Sequence, residues 1–193
     1  MTPDYIIIDF DSTFITQESL DELAIYKLSN RSDSQKKLNR IKSLTNAGMN
    51  GDISFKQSLD QRMELLNLNR ADINSVSKRL SKCVTPSFNK NKVFINENKN
   101  KIIIISGGFK ELIVPIVKNF GILSSNVFAN DFIYSSSEKI SGINQENIMS
   151  KNGGKVKQAK LLNLQGIVHA IGDGYTDYEI KLDGPATHFF AFT

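Results

Sequence analysis

Three short apolar segments of this sequence each run directly into acidic, hydroxyl or glycine residues. Residues 5–8, 101–105 and 167–171 are rich in β-branched side chains and are as short as buried strands usually are. Helical patterns separate these segments, and strands that alternate with helices predict an α/β fold with a mainly parallel sheet. Because parallel strands end at the same edge of a sheet, the polar residues that follow the three segments are expected to meet.

The polar residues at these strand ends are suited to metal and phosphate chemistry. The first strand is followed by DFDST (9–13), the second by SGG (106–108) and the third by GDGYTD (172–177). Clustered carboxylates repel each other unless a cation lies among them, and oxygen ligands suit Mg²⁺. Glycine-rich turns offer backbone N–H groups to an anion, and Lys155, at a predicted helix start, adds a positive charge. Together these features predict phosphoryl transfer.

A long helical block follows the first strand. Helical patterns cover residues 19–28, 34–44, 54–66 and 71–83, and such a block is too long for an ordinary connection in an α/β fold. We therefore expect an inserted all-helical cap of residues 14–82. The catalytic core would then consist of residues 1–13 and 83–193.

The remaining elements are predicted from local pattern. Pro86 is expected to open a helix, and residues 109–120 form a helix that contains Pro115 and ends at Gly121. Residues 127–135 and 139–143 predict a hairpin. Further helices are expected at 155–164 and 176–182, with a last strand at 188–192.

Composition limits the class of protein. The 193 residues are 40% hydrophobic and 23% charged, which is ordinary for one globular domain, with room for a smaller inserted one. No apolar run is long enough to span a bilayer, and the N-terminus has no signal-peptide pattern. Cys83 is the single cysteine, so an internal disulfide is excluded and a cytoplasmic location is expected.

The net charge of +4 raises the question of nucleic-acid binding. The densest basic stretch, residues 88–101, has few apolar anchors and favours a solvated helix face instead. We therefore expect a small-molecule partner and neither nucleic acid nor a membrane. An EF-hand is excluded because Phe14 stands at the glycine position, and a Walker A loop is excluded because Met149 and Val156 replace its first glycine and its hydroxyl residue.

Four motifs in order, DFDST, SGGF, GGK and GDGYTD, resemble those of the haloacid dehalogenase superfamily of phosphatases. The helical insert lies where that superfamily carries C1 caps, on a Rossmann-like core. Within it, the chain is most similar to the phosphoserine phosphatase family, which has a Glu early in the cap and a Met, a Phe and an Arg in a stretch resembling GMNGDISFKQSLDQR. Glu18, Met49, Phe55 and Arg62 occupy those positions, and the resemblance covers essentially the whole chain.

The resemblance implies a role for each motif carboxylate. Asp9 is expected to be the nucleophile that forms an aspartyl-phosphate, and Asp11 the general acid and then the general base. Asp9, the backbone carbonyl of Asp11, and Asp173 are expected to hold Mg²⁺, with Asp177 in the outer shell.

The resemblance also implies a set of substrate contacts. Ser106, the Gly107 N–H and Lys155 are expected to bind the phosphoryl oxygens, and Thr176, which stands where some relatives have Asn, to hydrogen-bond nearby. The expected partners of the rest of the substrate are Glu18 for its ammonium, Arg62 for its carboxylate, and Met49 and Phe55 as an apolar lid.

Taken singly, these residues have structural alternatives. Ser106 also suits a helix N-cap, Glu18 a solvated first helical turn, Arg62 a surface position, and Met49 and Phe55 a hydrophobic core.

The resemblance implies Mg²⁺-dependent hydrolysis of O-phospho-L-serine to L-serine, in serine biosynthesis. The alternatives are a phosphotransferase that passes the group to another alcohol such as homoserine, a phosphatase for another small phosphomonoester, and a non-enzymatic phospholigand-binding domain. Relatives usually continue with a further strand and helix, so the resemblance implies either a short protein or a fragment of a longer one.

Overall fold

The structure is a computed structural model that describes residues 2–29, 34–50 and 52–193, apart from the side chains of residues 34, 49, 50 and 55. The strands of these residues are β1 (Tyr5–Ile8), β2 (Ile102–Phe109), β3 (Val127–Asn130), β4 (Phe132–Tyr134), β5 (Ile140–Ile143), β6 (Val168–Gly172) and β7 (His188–Ala191). The α-helices are α1 (Ser19–Leu28), α2 (Ser34–Asn50), α3 (Phe55–Leu66), α4 (Arg70–Leu80), α5 (Pro86–Lys90), α6 (Lys92–Glu97), α7 (Lys110–Val117), α8 (Gly154–Leu161) and α9 (Tyr175–Leu182). In the described ranges, no helix has the length and apolar character needed to cross a membrane.

Five strands form one parallel sheet in the order β3-β2-β1-β6-β7. The three apolar segments found in the sequence are the three central strands, which confirms the predicted α/β fold. Ile8 of β1 is in register with Ile104 of β2 and with Ile171 of β6. The residues that follow Ile8 and Ile171 therefore leave the sheet at the same edge.

The sheet is covered on both faces by apolar side chains. Ile7 and Ile105 belong to a buried cluster that includes Ala159 of α8 and Ile180 of α9. On the other face, Ile8 belongs to a larger cluster whose members come from α1, α3, α4 and α7 as well as the sheet. Burial of one such side chain contributes about 1.5–3 kcal/mol. Strands with β-branched residues on both faces therefore gain most stability in the centre of the sheet, where both faces are covered.

Helices α1–α4 form the helical block after β1 that the sequence predicts, and the short helices α5 and α6 follow it before β2. The two chain connections of this block lie side by side: Ile15 bridges to Val84, and Thr85 N–H donates to the Phe14 carbonyl at 3.0 Å. The division of the chain into a cap of residues 14–82 and a core of residues 1–13 and 83–193 stays a prediction.

The end of β2 differs from expectation. The strand predicted at residues 101–105 continues through Ser106 and Gly107 to Phe109, and α7 therefore begins at Lys110. The alternative of Ser106 as a helix N-cap is wrong. Phe109 has no exposed surface and stacks on Phe132 with ring centroids 3.7 Å apart, and this packing keeps the segment extended.

The predicted hairpin of residues 127–135 with 139–143 is half wrong. Residues 127–130 are β3, which joins the main sheet beside β2, and only β4 pairs with β5 in the hairpin. Asp131 separates the two strands, and its carboxylate accepts from Asn147 Nδ2 at 2.6 Å and pairs with Lys110 Nζ at 3.0 Å. Local periodicity cannot choose a strand's partner, because tertiary packing decides it.

The β4–β5 hairpin is attached to the helical block. Ile140 N–H donates to the Leu68 carbonyl at 2.9 Å, and Arg70 N–H donates to the Glu138 carbonyl at 3.0 Å. The Arg70 guanidinium pairs with the Glu138 carboxylate and lies 3.8 Å from the centre of the Tyr134 ring. The segment between α3 and α4 is thus held by backbone hydrogen bonds, an ion pair and a cation–π contact.

Candidate active site

The residues after β1 and β6 and those in the last part of β2 line one cavity of about 230 Å³. Residues of α1, α2 and α3 line the same cavity, so the site lies between the sheet edge and the helical block. Its lining residues are Asp9, Asp11, Glu18, Leu20, Thr45, Gly48, Ser58, Arg62, Ser106, Gly107, Gly108, Lys155, Asp173, Gly174, Tyr175, Thr176 and Asp177.

Asp9 is the first residue after β1 and is 5% exposed. Its N–H donates to the Ile171 carbonyl at 2.9 Å, which ties it to β6. The chain then makes one wide helical turn, Phe10–Phe14, that is broken at Ser12, whose φ of 53° lies in the left-handed region. Phe10 and Phe14 are fully buried and anchor this turn, so Asp9 and Asp11 are held at the cavity wall.

Lys155 connects two carboxylates of the site. Its ammonium nitrogen lies 2.9 Å from Asp9 Oδ1 and 2.7 Å from Asp177 Oδ1. Burial alone lowers the pKa of Lys155, but attraction from Asp177 and Asp9 outweighs it and raises that pKa above its ordinary value. Lys155 therefore stays charged across the physiological pH range.

Asp177 is 2% exposed and is fixed at the first turn of α9. Its Oδ2 accepts from the Gly174 N–H at 3.2 Å, so it caps the helix while Oδ1 faces Lys155. A Cβ on Gly172 would lie 2.3 Å from the Asp177 Cγ. The close approach of strand and carboxylate explains why glycine precedes Asp173 in this motif.

Three carboxylates form a set that fits a divalent cation. One oxygen each from Asp9, Asp173 and Asp177 lies within 4.8 Å of the other two. Burial raises the pKa of Asp9 well above its ordinary value; Lys155 opposes this shift and Asp177 adds to it. Burial, with a contribution from Asp177, also raises the pKa of Asp173. One lysine does not balance three carboxylates, and hard oxygen ligands at this spacing suit Mg²⁺.

Asp11 is held by the first residue of α1. Ser19 N–H donates to Asp11 Oδ1 at 2.9 Å, and the Ser19 hydroxyl donates to Oδ2 at 3.1 Å. Burial raises the pKa of Asp11 to about 7; Glu18 adds to the shift and the two Ser19 bonds oppose it. A carboxyl group that titrates near neutrality can both donate and accept a proton, as general acid–base catalysis requires.

The end of β2 supplies the cavity wall next to Asp11. Ser106 is fully buried, and its hydroxyl accepts from the Gly108 N–H at 3.0 Å. The Gly107 carbonyl accepts from Asn130 Nδ2 at 2.8 Å. A Cβ on Gly108 would lie 3.0 Å from Asp11 Oδ2, so a side chain there would crowd the carboxylate.

Two opposite charges lie on the helical side of the cavity. Glu18 accepts from the Ser12 hydroxyl at 2.6 Å, and burial raises its pKa. Arg62 is 7% exposed, and burial lowers its pKa although Asp21, Glu18 and Asp11 oppose the shift. The alternative of a surface Arg62 is therefore wrong, whereas Glu18 is half-buried and hydrogen-bonded.

The other predicted substrate residues have different outcomes. Thr176 is exposed at the cavity rim, and in the described part of the chain its side chain has no hydrogen bond. The side chains of Met49 and Phe55 lie outside the described residues, so their lid role stays a prediction. Asp177, expected in the outer shell, contributes an oxygen to the carboxylate set itself.

Sequence reasoning missed several polar partners in the site. Ser19 follows Glu18 directly in the sequence and bonds to Asp11, and Thr13 of the first motif donates to Asp173 Oδ1 at 3.5 Å. Their positions beside predicted site residues are the signal that could have identified both. Thr45 and Ser58 line the cavity from α2 and α3. Nothing in the local sequence marks these two, because their position depends on how the helices cross.

Comparison with known proteins agrees with this geometry. The haloacid dehalogenase-like hydrolase family matches residues 6–180. The chain belongs to this family. Its relatives include bovine phosphoserine phosphatase, which is 30% identical over 98% of the chain and 81% of the bovine protein.

Two further proteins are similar to the chain over nearly its whole length. The chloroplastic phosphoserine phosphatase of Arabidopsis thaliana is 26% identical over 97% of the chain, which spans 62% of that protein's length. A phosphoserine phosphohydrolase-like protein of Francisella tularensis has a solved structure that is 36% identical, with a TM-score of 0.82 over 97% of the chain and 86% of that protein. The chain is thus a haloacid dehalogenase-family hydrolase whose relatives include phosphoserine phosphatases.

Proposed function

We propose that the chain is a Mg²⁺-dependent phosphatase that hydrolyses O-phospho-L-serine to L-serine and inorganic phosphate. One observation carries the proposal: a single cavity is lined by Asp9, Asp11 and Lys155 and also by Glu18 and Arg62. The first group suits a phosphoryl centre and the second suits the two charges of an amino acid.

Asp9 is the proposed nucleophile. One of its carboxylate oxygens attacks phosphorus as the bond to the serine oxygen breaks, which gives an aspartyl-phosphate. The ion pair with Lys155 at 2.9 Å orients Asp9 and opposes the rise of its pKa on burial. In the second half of the reaction, water attacks phosphorus and Asp9 leaves as a carboxylate.

Asp11 is the proposed acid and base. It first gives its proton to the departing serine oxygen and then takes a proton from the attacking water. Both Asp11 oxygens accept from Ser19, which restrains the rotation of the carboxyl group between these two steps.

The phosphoryl oxygens are proposed to bind Lys155, the Ser106 hydroxyl and the Gly107 N–H, with Thr176 at the rim. Asp9, Asp173 and the backbone carbonyl of Asp11 would hold Mg²⁺, with Asp177 in support. When bound, the cation would neutralise negative charge on the transferring group.

The amino-acid part of the substrate is proposed to lie against α1 and α3. Glu18 pairs with its ammonium and Arg62 with its carboxylate. A ligand without one of these charges would leave a buried protein charge unpaired, so the site favours a zwitterion. The proposal includes an apolar lid formed by Met49 and Phe55, and a cytoplasmic location that rests on the single cysteine, Cys83.

The test is phosphate release with and without Mg²⁺. The substrates are O-phosphoserine, O-phosphothreonine, phosphoethanolamine, phosphoglycolate and an aryl phosphate. We expect a strong preference for phosphoserine, loss of activity with EDTA and in Asp9→Asn, and loss of the preference in Arg62→Ala. Full activity of Asp9→Asn would rule out the mechanism. Equal rates on all substrates would rule out the amino-acid site, and transfer of phosphate to added homoserine would identify a phosphotransferase.

A further inference from the structure

The guanidinium of Arg62 is fixed by neutral acceptors from two helices. Its Nη1 donates to the Thr45 hydroxyl oxygen of α2 at 3.2 Å, and its Nε donates to the Ser58 carbonyl of α3 at 3.3 Å. Thr45 is 9% exposed and Arg62 is 7% exposed, so water competes little for these bonds. A free arginine side chain samples many rotamers, and these two bonds restrict that freedom.

The Thr45 hydroxyl is oriented to accept from Arg62. Its single proton has the Ile41 carbonyl of its own helix as acceptor at 3.1 Å, and Asp21 Oδ1 lies 3.5 Å away. A hydroxyl that donates into its own helix turns its lone pairs outward, toward the Arg62 Nη1.

Arg62 keeps N–H donors for a ligand, although Asp21, Glu18 and Asp11 act electrostatically on its pKa. Within the described ranges no carboxylate is within ion-pair distance of Arg62, and protein acceptors occupy two of its five N–H groups. Because Arg62 lines the cavity, the remaining N–H groups are available to an anionic group of a ligand.

The helix crossing holds Thr45 at a fixed distance from Arg62. The Ser58 hydroxyl donates to the Leu44 carbonyl at 2.8 Å, one residue before Thr45. A Cβ on Gly48 would lie 2.9 Å from the Ser58 Cβ, which shows how closely α2 and α3 approach. Thr45 therefore acts from a rigid frame rather than from a loop.

We propose that Thr45 is a positioning residue that sets substrate specificity by presenting the free edge of Arg62 to the carboxylate of the substrate. This inference rests on the proposed function, since it assigns a specificity role within the same site. It predicts that removal of the Thr45 oxygen weakens recognition of a substrate carboxylate and leaves recognition of the phosphate and ammonium unchanged.

The kinetic test compares Thr45→Val, which keeps the shape and removes the acceptor, with Thr45→Ser, which keeps the acceptor. The substrates are phosphoserine and phosphoethanolamine, which differ by the carboxylate. We expect Thr45→Val to raise KM for phosphoserine about tenfold with kcat little changed, and to leave KM for phosphoethanolamine unaltered. Thr45→Ser should restore wild-type values to within about twofold. An equal loss on both substrates, or no loss on phosphoserine, would overturn the inference.

A second readout needs no substrate. In ¹⁵N-arginine NMR spectra of the free protein, restricted rotation should give Arg62 separate Nη1 and Nη2 signals, assigned by their loss in Arg62→Lys. These signals should merge in Thr45→Val and persist in Thr45→Ser. Separate signals in Thr45→Val would overturn the positioning role. If the wild-type enzyme shows no preference for phosphoserine, the proposed function fails while these spectra still decide whether Thr45 positions Arg62.

Discussion

Lys155 places its ammonium nitrogen 2.7 Å from Asp177 Oδ1. The same nitrogen reaches Asp9 at 2.9 Å, so one cation of α8 joins a carboxylate beyond β1 to a carboxylate of α9. All three side chains are largely buried. The charge balance of the site therefore depends on Lys155 before any ligand binds.

Replacement of Lys155 by Met should lower both stability and activity. Loss of one partner of a buried ion pair typically costs about 3–5 kcal/mol, because the remaining charge is unpaired. Denaturant unfolding in the presence of EDTA measures this cost without help from a bound cation. The exposed Lys118→Met variant is the control, and equal stability of the two variants would contradict the role of Lys155.

Replacement of Gly172 by Ala should displace Asp177. The new Cβ would lie 2.3 Å from the Asp177 Cγ, and neither the strand nor the helix cap can move without loss of hydrogen bonds. We expect a loss of about 1–3 kcal/mol in unfolding free energy and a large drop in phosphatase activity. Gly142→Ala is the matched control, because no atom lies within 4 Å of its added Cβ. A neutral Gly172→Ala would show that the packing is looser than described.

Replacement of Ser19 by Ala should reduce kcat while binding is retained. The Asp11 Oδ2 would lose its hydroxyl donor but Oδ1 would keep the Ser19 N–H, so the carboxyl group would gain rotational freedom. A hydrogen bond to a charged group is worth about 1.5–3 kcal/mol, which corresponds to a tenfold or greater loss. Steady-state kinetics test this, with Ser75→Ala as control, since the Ser75 hydroxyl bonds only within α4. An unchanged kcat would mean that the backbone N–H alone fixes Asp11.

Glu111 should make stability depend on pH. Burial raises its pKa above the ordinary value of 4.5; Asp131 adds to the shift and Arg70 opposes it. The folded state therefore binds the proton more tightly than the unfolded state, and stability falls as pH rises from 4.5 through the raised pKa.

The variant Glu111→Gln removes this titration and keeps an acceptor for the Phe132 N–H, which Glu111 Oε1 holds at 3.1 Å. Its advantage over wild type should be small at pH 4 and grow to at most about 1 kcal/mol at pH 8, because partial exposure screens the charge. Thermal unfolding across this range measures it, with the exposed Glu146→Gln as control. A constant difference across pH would refute the assignment.

The sheet and the edge that carries the candidate site could be predicted because their signals are local. Buried parallel strands require runs such as the isoleucines of β1, and the register of Ile8 with Ile104 brings the motif residues together without further information. Asp9, Asp173 and Lys155 lie at strand or helix ends, where position in the sequence fixes position in space.

The rest depended on long-range packing. The sequence pattern of residues 127–130 predicts half of a hairpin, but these residues pair with β2. Ser106 lies in an extended strand and does not cap a helix, because Phe109 packs on Phe132. Thr45 reaches Arg62 only because α2 and α3 cross at Gly48. Such contacts join residues whose sequence neighbours give no sign of them.

The hydrogen bonds between the β4–β5 hairpin and the segment before α4 limit how the cavity can admit a ligand. The helical block is attached to the rest of the chain at Ile15–Val84 and again at Leu68–Ile140. Two separate attachments oppose rotation of the block as one rigid body. Rotation of the whole block away from the sheet would have to break the hydrogen bonds of one attachment. Arg62 and Thr45 lie between the two attachments along the chain, so the residues proposed to read the ligand are anchored on both sides.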